Sequence, residues 1–193
     1  MAEKRIFAVI LAAGVSSRFG SPKQLEKYDG APLVTRAVRL AESVCGSRTM
    51  LVAGHQWLAV VHACRPLRGY FTNNARYRSG MAASIACGVR SVAAAADAVL
   101  LLLADQPLVT RAHLDALIAA FRASPGNITA TGFAETAGPP VIFPRRYFAE
   151  LCDLQGDAGA RSILAHAADR VRTVTFENAS VDVDRPEDLG RLP

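Results

Sequence analysis

Several features that would place the chain in a special class are missing from its 193 residues. The four cysteines form no CxxC pair and have no paired histidines beside them, so neither a zinc framework nor a disulfide scaffold is indicated. Lysine and arginine form no run of five or six, which argues against a nucleic-acid-binding tail. The apolar runs are shorter than the ~20 residues that cross a bilayer. We therefore expect free thiols, a cytoplasmic location, and neither a nucleic-acid nor a membrane partner.

The composition is typical of a globular domain with one core. Hydrophobic residues make up 51% of the chain and charged residues 20%, and the formal net charge is +5. A chain of this length buries roughly 70% of the surface that its unfolded form exposes. We predict one domain over residues 1–193. The mild positive charge suits an anionic ligand such as a nucleotide or a phosphate ester, although a slightly basic enzyme surface is equally compatible with it.

The N-terminus has two possible interpretations. Lys4 and Arg5 precede the apolar run Ile6–Ala13, which imitates a short secretory signal. A buried strand with a charged lead-in has the same pattern. We favour the strand, because the residues that follow it have the pattern of a functional site, and such a site needs this run as part of the folded protein.

Strand and helix patterns alternate along the chain and predict an α/β fold. Helical patterns begin at Pro32, at Trp57, at Met81 and after a capping Thr110. The predicted strands are Ile6–Leu11, Thr49–Ala53, Tyr70–Asn73, Ala98–Ala104, Ile128–Gly132, Val141–Phe143 and Val171–Phe176. This order favours a Rossmann-like three-layer fold with a mostly parallel central sheet. In such sheets ligands bind beyond the carboxyl ends of the strands.

A glycine-rich loop follows the first strand, in the run LAAGVSSRFGSPKQL over residues 11–25. It is neither a Walker loop nor a dinucleotide-binding G-x-G-x-x-G motif. Gly14 and Gly20 would let backbone amides approach an anion, and Arg18 and Lys23 would add two positive charges. The loop therefore predicts a polyphosphate site, and a mobile surface loop with two solvated cations is the alternative.

Carboxylates follow two other segments. Asp105 comes directly after the most apolar strand, in the place that a Mg²⁺ ligand would take, although an aspartate there could instead cap the next helix. Asp182 and Asp184 alternate in an extended segment, which puts both on one face, where they repel unless a cation lies between them. Asp188 is better explained as first-turn helix charge.

The loop and the Asp105-Gln106-Pro107 segment together resemble the signature of the MobA-like nucleotidyltransferases, over about Ile6–Leu189. Phe19 replaces a usual Met and Ala104 a frequent Cys, and neither change touches a predicted ligand. The resemblance implies catalytic roles for Arg18, Lys23 and Asp105, and metal contacts for Asp105, Asp184 and, as second choice, Asp182. The nucleotide-binding residues that it implies are Leu11, Ala12, Ala13, Gly14, Ser16, Arg18, Lys23, Asn74, Gly80 and Ser84.

Two further segments resemble those on the acceptor side of the family's cleft. They are the turn with Gly138 and Pro139 and the turn with Asp157, which opens a helix near Arg161. Arg161 could pair with an acceptor phosphate, although a structural turn and a surface arginine would look the same. The implied metal is Mg²⁺, with Mn²⁺ as a substitute.

Three functions are compatible with these motifs. Leu-Ala-Ala-Gly with Asp-Gln-Pro is similar to the cytidylyltransferase branch, which implies transfer of CMP from CTP to molybdopterin or the molybdenum cofactor, and a molybdenum hydroxylase as client. GTP, another acceptor, or reduction of a pigment with NADPH would use a related fold. A chaperone that binds the pterin without releasing pyrophosphate is the third.

Overall fold

A computed structural model describes residues 4–193, and one seven-stranded sheet forms its centre. The sheet order is β5-β4-β1-β6-β8-β7-β9. Its strands are β1 (Ile6–Ala12), β4 (Thr49–Ala53), β5 (Tyr70–Asn73), β6 (Ala98–Leu103), β7 (Ile128–Phe133), β8 (Thr136–Pro144) and β9 (Val171–Thr175). A separate two-stranded sheet pairs β2 (Lys27–Tyr28) with β3 (Ala31–Pro32).

Helices cover both faces of the sheet and complete the three layers. The helices are α1 (Leu33–Cys45), α2 (Trp57–Ala63), α3 (Met81–Val92), α4 (Arg111–Ala123), α5 (Phe148–Asp153), α6 (Arg161–His166) and α7 (Pro186–Leu189). Thr110 caps α4, since its side chain accepts a hydrogen bond from the backbone nitrogen of His113. The predicted three-layer architecture is confirmed.

The sheet is mostly parallel, as predicted, and β8 alone of these seven strands runs against its neighbours. The sequence pattern marked only Val141–Phe143, whereas β8 spans nine residues. Ala134 and Glu135 both have positive φ and form a two-residue turn between β7 and β8. Such turns match the twist of antiparallel strands, which explains why β8 extends back to Thr136.

The apolar strands are buried on both faces, which is why their sequences show no alternation. On one face Ala8, Ile10 and Ala12 of β1 pack in a cluster with α1 and α4. On the other face Val9 packs in a cluster with α3, α5 and α6. A Cβ at Gly88 of α3 would overlap Val9 and Val52, so this glycine lets the helix lie close to the sheet.

The two central strands deliver their loops to the same edge of the sheet. β1 and β6 are parallel neighbours, and Leu11 is paired with Leu103. The glycine-rich loop and Asp105 therefore emerge side by side. The interpretation of Ile6–Ala13 as a strand is confirmed over Ile6–Ala12.

The four cysteines are free thiols, as expected, and Cys45 and Cys64 are buried. Burial raises the pKa of both thiols to about 11, so neither is a reactive thiolate at neutral pH. Within residues 4–193, no helix is long and apolar enough to span a bilayer.

One buried histidine couples the fold to pH. His113 lies 2.8 Å from the Thr131 hydroxyl through its Nε2, and its ring stacks on Phe176 with centroids 4.5 Å apart. The Thr131 hydroxyl donates to the Pro140 carbonyl, so Nε2 of His113 carries a proton and donates to Thr131. Burial lowers the pKa of His113 from 6.5 to about 4.

We predict that His113 makes the fold less stable in acid. Between pH 6.5 and 4 the unfolded chain binds the proton that the folded chain excludes, so the free energy of unfolding falls as the pH falls. The contribution is at most about 3 kcal/mol. Urea unfolding of the His113→Gln variant should show this part of the pH dependence removed relative to the parent protein. The matched change at exposed His62, His62→Gln, should leave the dependence as it is, and equal behaviour of the two variants would contradict the assignment.

Candidate functional site

A cleft of about 560 Å³ opens at the carboxyl ends of β1 and β6. This size lies within the range of small-molecule sites. The residues that line it come from the glycine-rich loop, from the start of α3, from the end of β6 and from two later turns. They are Leu11, Ala12, Ala13, Gly14, Val15, Ser16, Ser17, Arg18, Lys23, Gln24, Tyr77, Arg78, Gly80, Met81, Ser84, Leu103, Ala104, Asp105, Asp157 and Asp184.

Gln24 stabilises the conformation of the glycine-rich loop through hydrogen bonds to its backbone. Its buried amide nitrogen lies 3.2 Å from the Ala12 carbonyl and 2.6 Å from the Gly14 carbonyl. Its oxygen accepts from the Ser16 hydroxyl at 3.2 Å, and the same hydroxyl accepts from the backbone nitrogen of Lys23. The Ser16 side chain is thus used within the loop, and the loop is tied to the residues that follow it. Sequence reasoning missed this role, because the glutamine was noticed only as a letter of the motif.

Lys23 lies between two carboxylates at the base of the cleft. Its Nζ is 2.7 Å from Asp105 Oδ2 and 2.8 Å from Asp184 Oδ1. Burial by itself lowers the pKa of Lys23, but the charges and hydrogen bonds of Asp105 and Asp184 outweigh burial and raise it. Arg18 is more exposed, and its guanidinium lies 3.8 Å from Asp184 Oδ2. The structure therefore brings the three predicted catalytic side chains, Arg18, Lys23 and Asp105, to one place.

A buried valine positions the C-terminal aspartates. Val183 packs with Phe19 and Leu33, and its backbone nitrogen donates to the Asp105 carbonyl at 2.9 Å. Asp184 next to it then reaches the cleft. Asp188 accepts from the backbone nitrogens of Asp184 and Arg185, and these bonds lower its pKa. Asp188 therefore caps α7, in agreement with its interpretation as helix charge.

Asp182 has a different environment from Asp184. Burial raises the pKa of Asp182 to about 6, and the carboxylates of Asp105 and Asp184 add to the effect. Asp182 is not among the described residues that line the cleft. Asp105 and Asp184 are therefore the better-placed pair of the three predicted metal contacts.

The carboxylates fit a hard divalent cation. The second oxygen of Asp105 is buried and has no hydrogen-bond partner. Carboxylate oxygens are the ligands that Mg²⁺ prefers, and it usually takes one or two of them and completes its shell with phosphate and water. In residues 4–193, no three aspartate, glutamate, histidine or cysteine side chains converge as a complete metal site. Asp105 and Asp184 would therefore hold a cation here, and a bound phosphate would supply further ligands to it.

The start of α3 forms the opposite wall of the cleft. Ser84 lines it, and Asn74 is buried behind Ser84, with its Nδ2 3.0 Å from the Ser84 hydroxyl. Asn74 Oδ1 accepts from the backbone nitrogen of Arg76, so this side chain supports the wall rather than lining it. Tyr77, Arg78 and Met81 also line the cleft. They lie between the predicted residues Asn74 and Ser84, but none of the three was predicted individually as a site residue.

The predicted acceptor residues divide into two groups. Asp157 lines the cleft, whereas Gly138, Pro139 and Arg161 are not among the described lining residues. The Arg161 guanidinium lies over the Phe133 ring, 5.9 Å from its centroid. The Pro139 carbonyl accepts from the Gln106 amide at 3.3 Å, which links this turn to the residue after Asp105.

Known proteins share both the sequence pattern and the fold. Residues 8–172 match the model of the MobA-like NTP transferase domain. The purine catabolism protein PucB of Bacillus subtilis is 27% identical over 95% of this chain and 93% of its own length. The crystal structure of Rv0371c from Mycobacterium tuberculosis has 30% identity and a TM-score of 0.80, and covers 97% of each chain. A second structure of Rv0371c, a complex with manganese, has 27% identity and a TM-score of 0.76, with the same coverage.

The shape of the α3 wall depends on Gly80. Its φ is +97°, in the region that favours glycine, and a Cβ would overlap the Gly156 carbonyl and lie 2.8 Å from Asp157 Oδ1. We predict that Gly80→Ala lowers the free energy of unfolding by about 1–3 kcal/mol, measured in urea, because strain and overlap add. Gly126→Ala is the control, since its Cβ would meet nothing closer than 4.0 Å, at Arg146. An equal effect of the two changes would contradict this account.

Proposed function

Because the chain belongs to the MobA-like NTP transferase family, we propose that this nucleotidyltransferase moves CMP from CTP to the terminal phosphate of molybdopterin or the molybdenum cofactor. Pyrophosphate is released, and the product is a cytosine dinucleotide form of the cofactor. The observation that carries the proposal is the position of Lys23 between Asp105 and Asp184, at the base of the glycine-rich loop. Charged groups that can bind a polyphosphate and a metal ion are thus gathered at one place.

The charges that line the cleft support a triphosphate bound together with a metal ion. Three cationic side chains, Arg18, Lys23 and Arg78, face three carboxylates, Asp105, Asp157 and Asp184. These six charges cancel, so the protein alone cannot neutralise a triphosphate. A divalent cation held by Asp105 and Asp184 would supply part of the missing charge and would polarise the phosphoryl oxygens as a Lewis acid. The manganese complex of the relative Rv0371c agrees with use of a divalent ion, and we assign Mg²⁺ as the natural one, with Mn²⁺ as a substitute.

The reaction follows from positioning and charge. A terminal phosphate oxygen of the acceptor attacks the α-phosphorus of CTP in line, the bond to the β-phosphate oxygen breaks, and pyrophosphate leaves with its electrons. The acceptor brings its own oxyanion, so no protein base has to remove a proton. Arg18 and Lys23 neutralise the charge that grows on the leaving pyrophosphate, and the loop amides near Gly14 hold the phosphates in place.

We assign the remaining parts of the substrates to the walls of the cleft. We place the nucleoside against Leu11, Ala12, Ala13 and the α3 wall with Gly80 and Ser84, with Asn74 in support. The preference for CTP over GTP rests on the Leu-Ala-Ala-Gly and Asp-Gln-Pro motifs.

The acceptor would approach from the side of Asp157. Gly138, Pro139 and Arg161 would lie near the acceptor without lining the cleft, since they are not among the described lining residues. A molybdenum hydroxylase as client is part of the same proposal.

Asp105→Asn tests the carboxylate's role. The amide keeps the size of the side chain but removes the charge that faces Lys23 and the ion, so we expect pyrophosphate release from CTP and molybdenum cofactor to fall by about 10²–10³-fold or more. Circular dichroism should show an unchanged fold. Asp115→Asn is the control, because Asp115 lies on α4 and pairs with Arg111 at the surface. Retained activity in Asp105→Asn would refute the assignment.

The same assay separates the alternatives. Incubation with GTP in place of CTP should give little pyrophosphate, and NADPH should show no change at the nicotinamide absorbance. Faster turnover with GTP than with CTP would indicate that the chain is a guanylyltransferase. Oxidation of NADPH without pyrophosphate release would favour the pigment reductase, and pterin binding without either reaction would favour the chaperone.

Lys23→Gln tests whether the ammonium lies where the metal ion binds. Without the positive charge, Asp105 and Asp184 face each other and attract a free cation more strongly. We expect Mn²⁺ affinity in the absence of nucleotide to rise about tenfold, or ~1.4 kcal/mol, in electron paramagnetic resonance titrations. Lys27→Gln, at an exposed lysine of β2, should leave the affinity as it is. Unchanged or weaker binding in Lys23→Gln would mean that the two cations do not compete.

A further inference from the structure

The charges of the chain are distributed unevenly. Between Glu42 and Asp97 there is no acidic residue, and this stretch carries six arginines. They are Arg48, Arg65, Arg68, Arg76, Arg78 and Arg90. The stretch contains β4, α2, β5 and α3, so none of these four elements carries an acidic side chain. The proposed chemistry needs only Arg78 of this set.

Four of these arginines bracket the edge strand β5. Arg65 and Arg68 come just before it and Arg76 and Arg78 just after it, and all four are exposed. Among residues 4–193, none of the four has a carboxylate within ion-pair distance. The Glu42 carboxylate reaches this edge, but it accepts from the backbone nitrogens of Arg68 and Gly69.

The middle of the same edge is apolar and has an open ladder. In the described sheet β5 pairs only with β4, so its outer N–H and C=O groups face away from the sheet. Trp57 stacks on Phe71 with ring centroids 6.1 Å apart and the planes 19° apart. Leu58 is 67% exposed, Tyr70 61% and Phe71 44%.

We propose that the β5 edge docks an extended, acidic segment of a partner protein, which adds a strand to the sheet. Strand addition uses main-chain hydrogen bonds for affinity and side-chain pockets for specificity. The apolar side chains of the segment would cover Trp57 and Phe71. Its acidic ends would meet Arg65 and Arg68 on one side and Arg76 and Arg78 on the other, which fixes the charge of the partner.

The same observations disfavour two other occupants. A second copy that pairs β5 with β5 would bring two arginine-bracketed edges together, and like charges oppose that contact. A nucleic acid would use the arginines, but it cannot pair with the open β5 ladder. An acidic protein segment alone uses all three features, namely the ladder, the apolar centre and the cationic ends.

The docking edge adjoins the cleft but does not depend on the proposed reaction. Tyr77 and Arg78 follow β5 and line the cleft, so a partner docked here would lie beside its mouth. Loss of nucleotidyl transfer would leave the docking proposal standing, and the reverse also holds.

The test uses the full chain and a synthetic peptide of alternating valine and threonine with glutamates at both ends. Trp57 is the single tryptophan, so its emission reports binding at this edge. We expect the emission to shift on binding, and hydrogen exchange to slow at the backbone amides of Tyr70–Asn73. A peptide with lysines in place of the glutamates should bind at least tenfold more weakly.

A matched pair of double variants localises the contact. Arg65→Ser with Arg68→Ser should weaken the glutamate peptide about tenfold, or ~1.4 kcal/mol, and leave pyrophosphate release unchanged. Arg170→Ser with Arg172→Ser removes the same charge at the opposite edge, near β9, and should leave binding as it is. Equal weakening by both pairs, equal binding of the lysine peptide, or binding without protection of Tyr70–Asn73 would overturn the proposal. The proposal would also be overturned if single-stranded RNA displaced the peptide, or if the chain self-associated through this edge and thereby displaced the peptide.

Discussion

The arrangement of the site depends on one interaction, in which the Lys23 ammonium lies between the carboxylates of Asp105 and Asp184. The two carboxylates come from distant parts of the chain, one after β6 and one near the C-terminus. Held this close without a cation, they would repel. Lys23 joins the glycine-rich loop, the central strand and the C-terminal segment in one electrostatic cluster. A divalent ion would bind the two carboxylates that Lys23 now contacts, and the ammonium of Lys23 would then contact the polyphosphate.

The fold supplies this geometry with few special devices. Parallel neighbours β1 and β6 end at the same edge, so the loop and Asp105 lie together without long connections. Gln24 fixes the loop from below through two backbone carbonyls, and Val183 anchors the last aspartates by packing with Phe19 and Leu33. Gly80, with its positive φ, lets the α3 wall approach Gly156. Each device is a backbone or core feature, so Arg18, Lys23 and Asp105 are not needed to shape the loop or the α3 wall.

Local patterns were enough to predict most of the sheet and the centre of the site. Continuous apolar runs such as Ala98–Leu103 indicated buried parallel strands. The rule that ligands bind at strand ends, together with the family resemblance, predicted that Arg18, Lys23 and Asp105 lie at one site. The length of β8 could not be predicted, because it depends on a two-residue turn at Ala134 and Glu135 that adopts positive φ without glycine. Tyr77 and Arg78 were not predicted individually, because a short loop after an edge strand has no periodicity to mark single residues. Arg161 lies over the Phe133 ring and is not among the described lining residues, and sequence spacing does not reveal this contact.

We propose that Lys23 occupies the place of a metal ion until a nucleotide binds. A crystal structure of the chain with CTP and Mn²⁺, in which anomalous scattering locates the ion, would test this. The ion is expected on Asp105, Asp184 and phosphate oxygens, with Lys23 turned from both carboxylates toward the triphosphate. An ion bound elsewhere, with Lys23 still between Asp105 and Asp184, would show that Lys23 does not take the place of the ion.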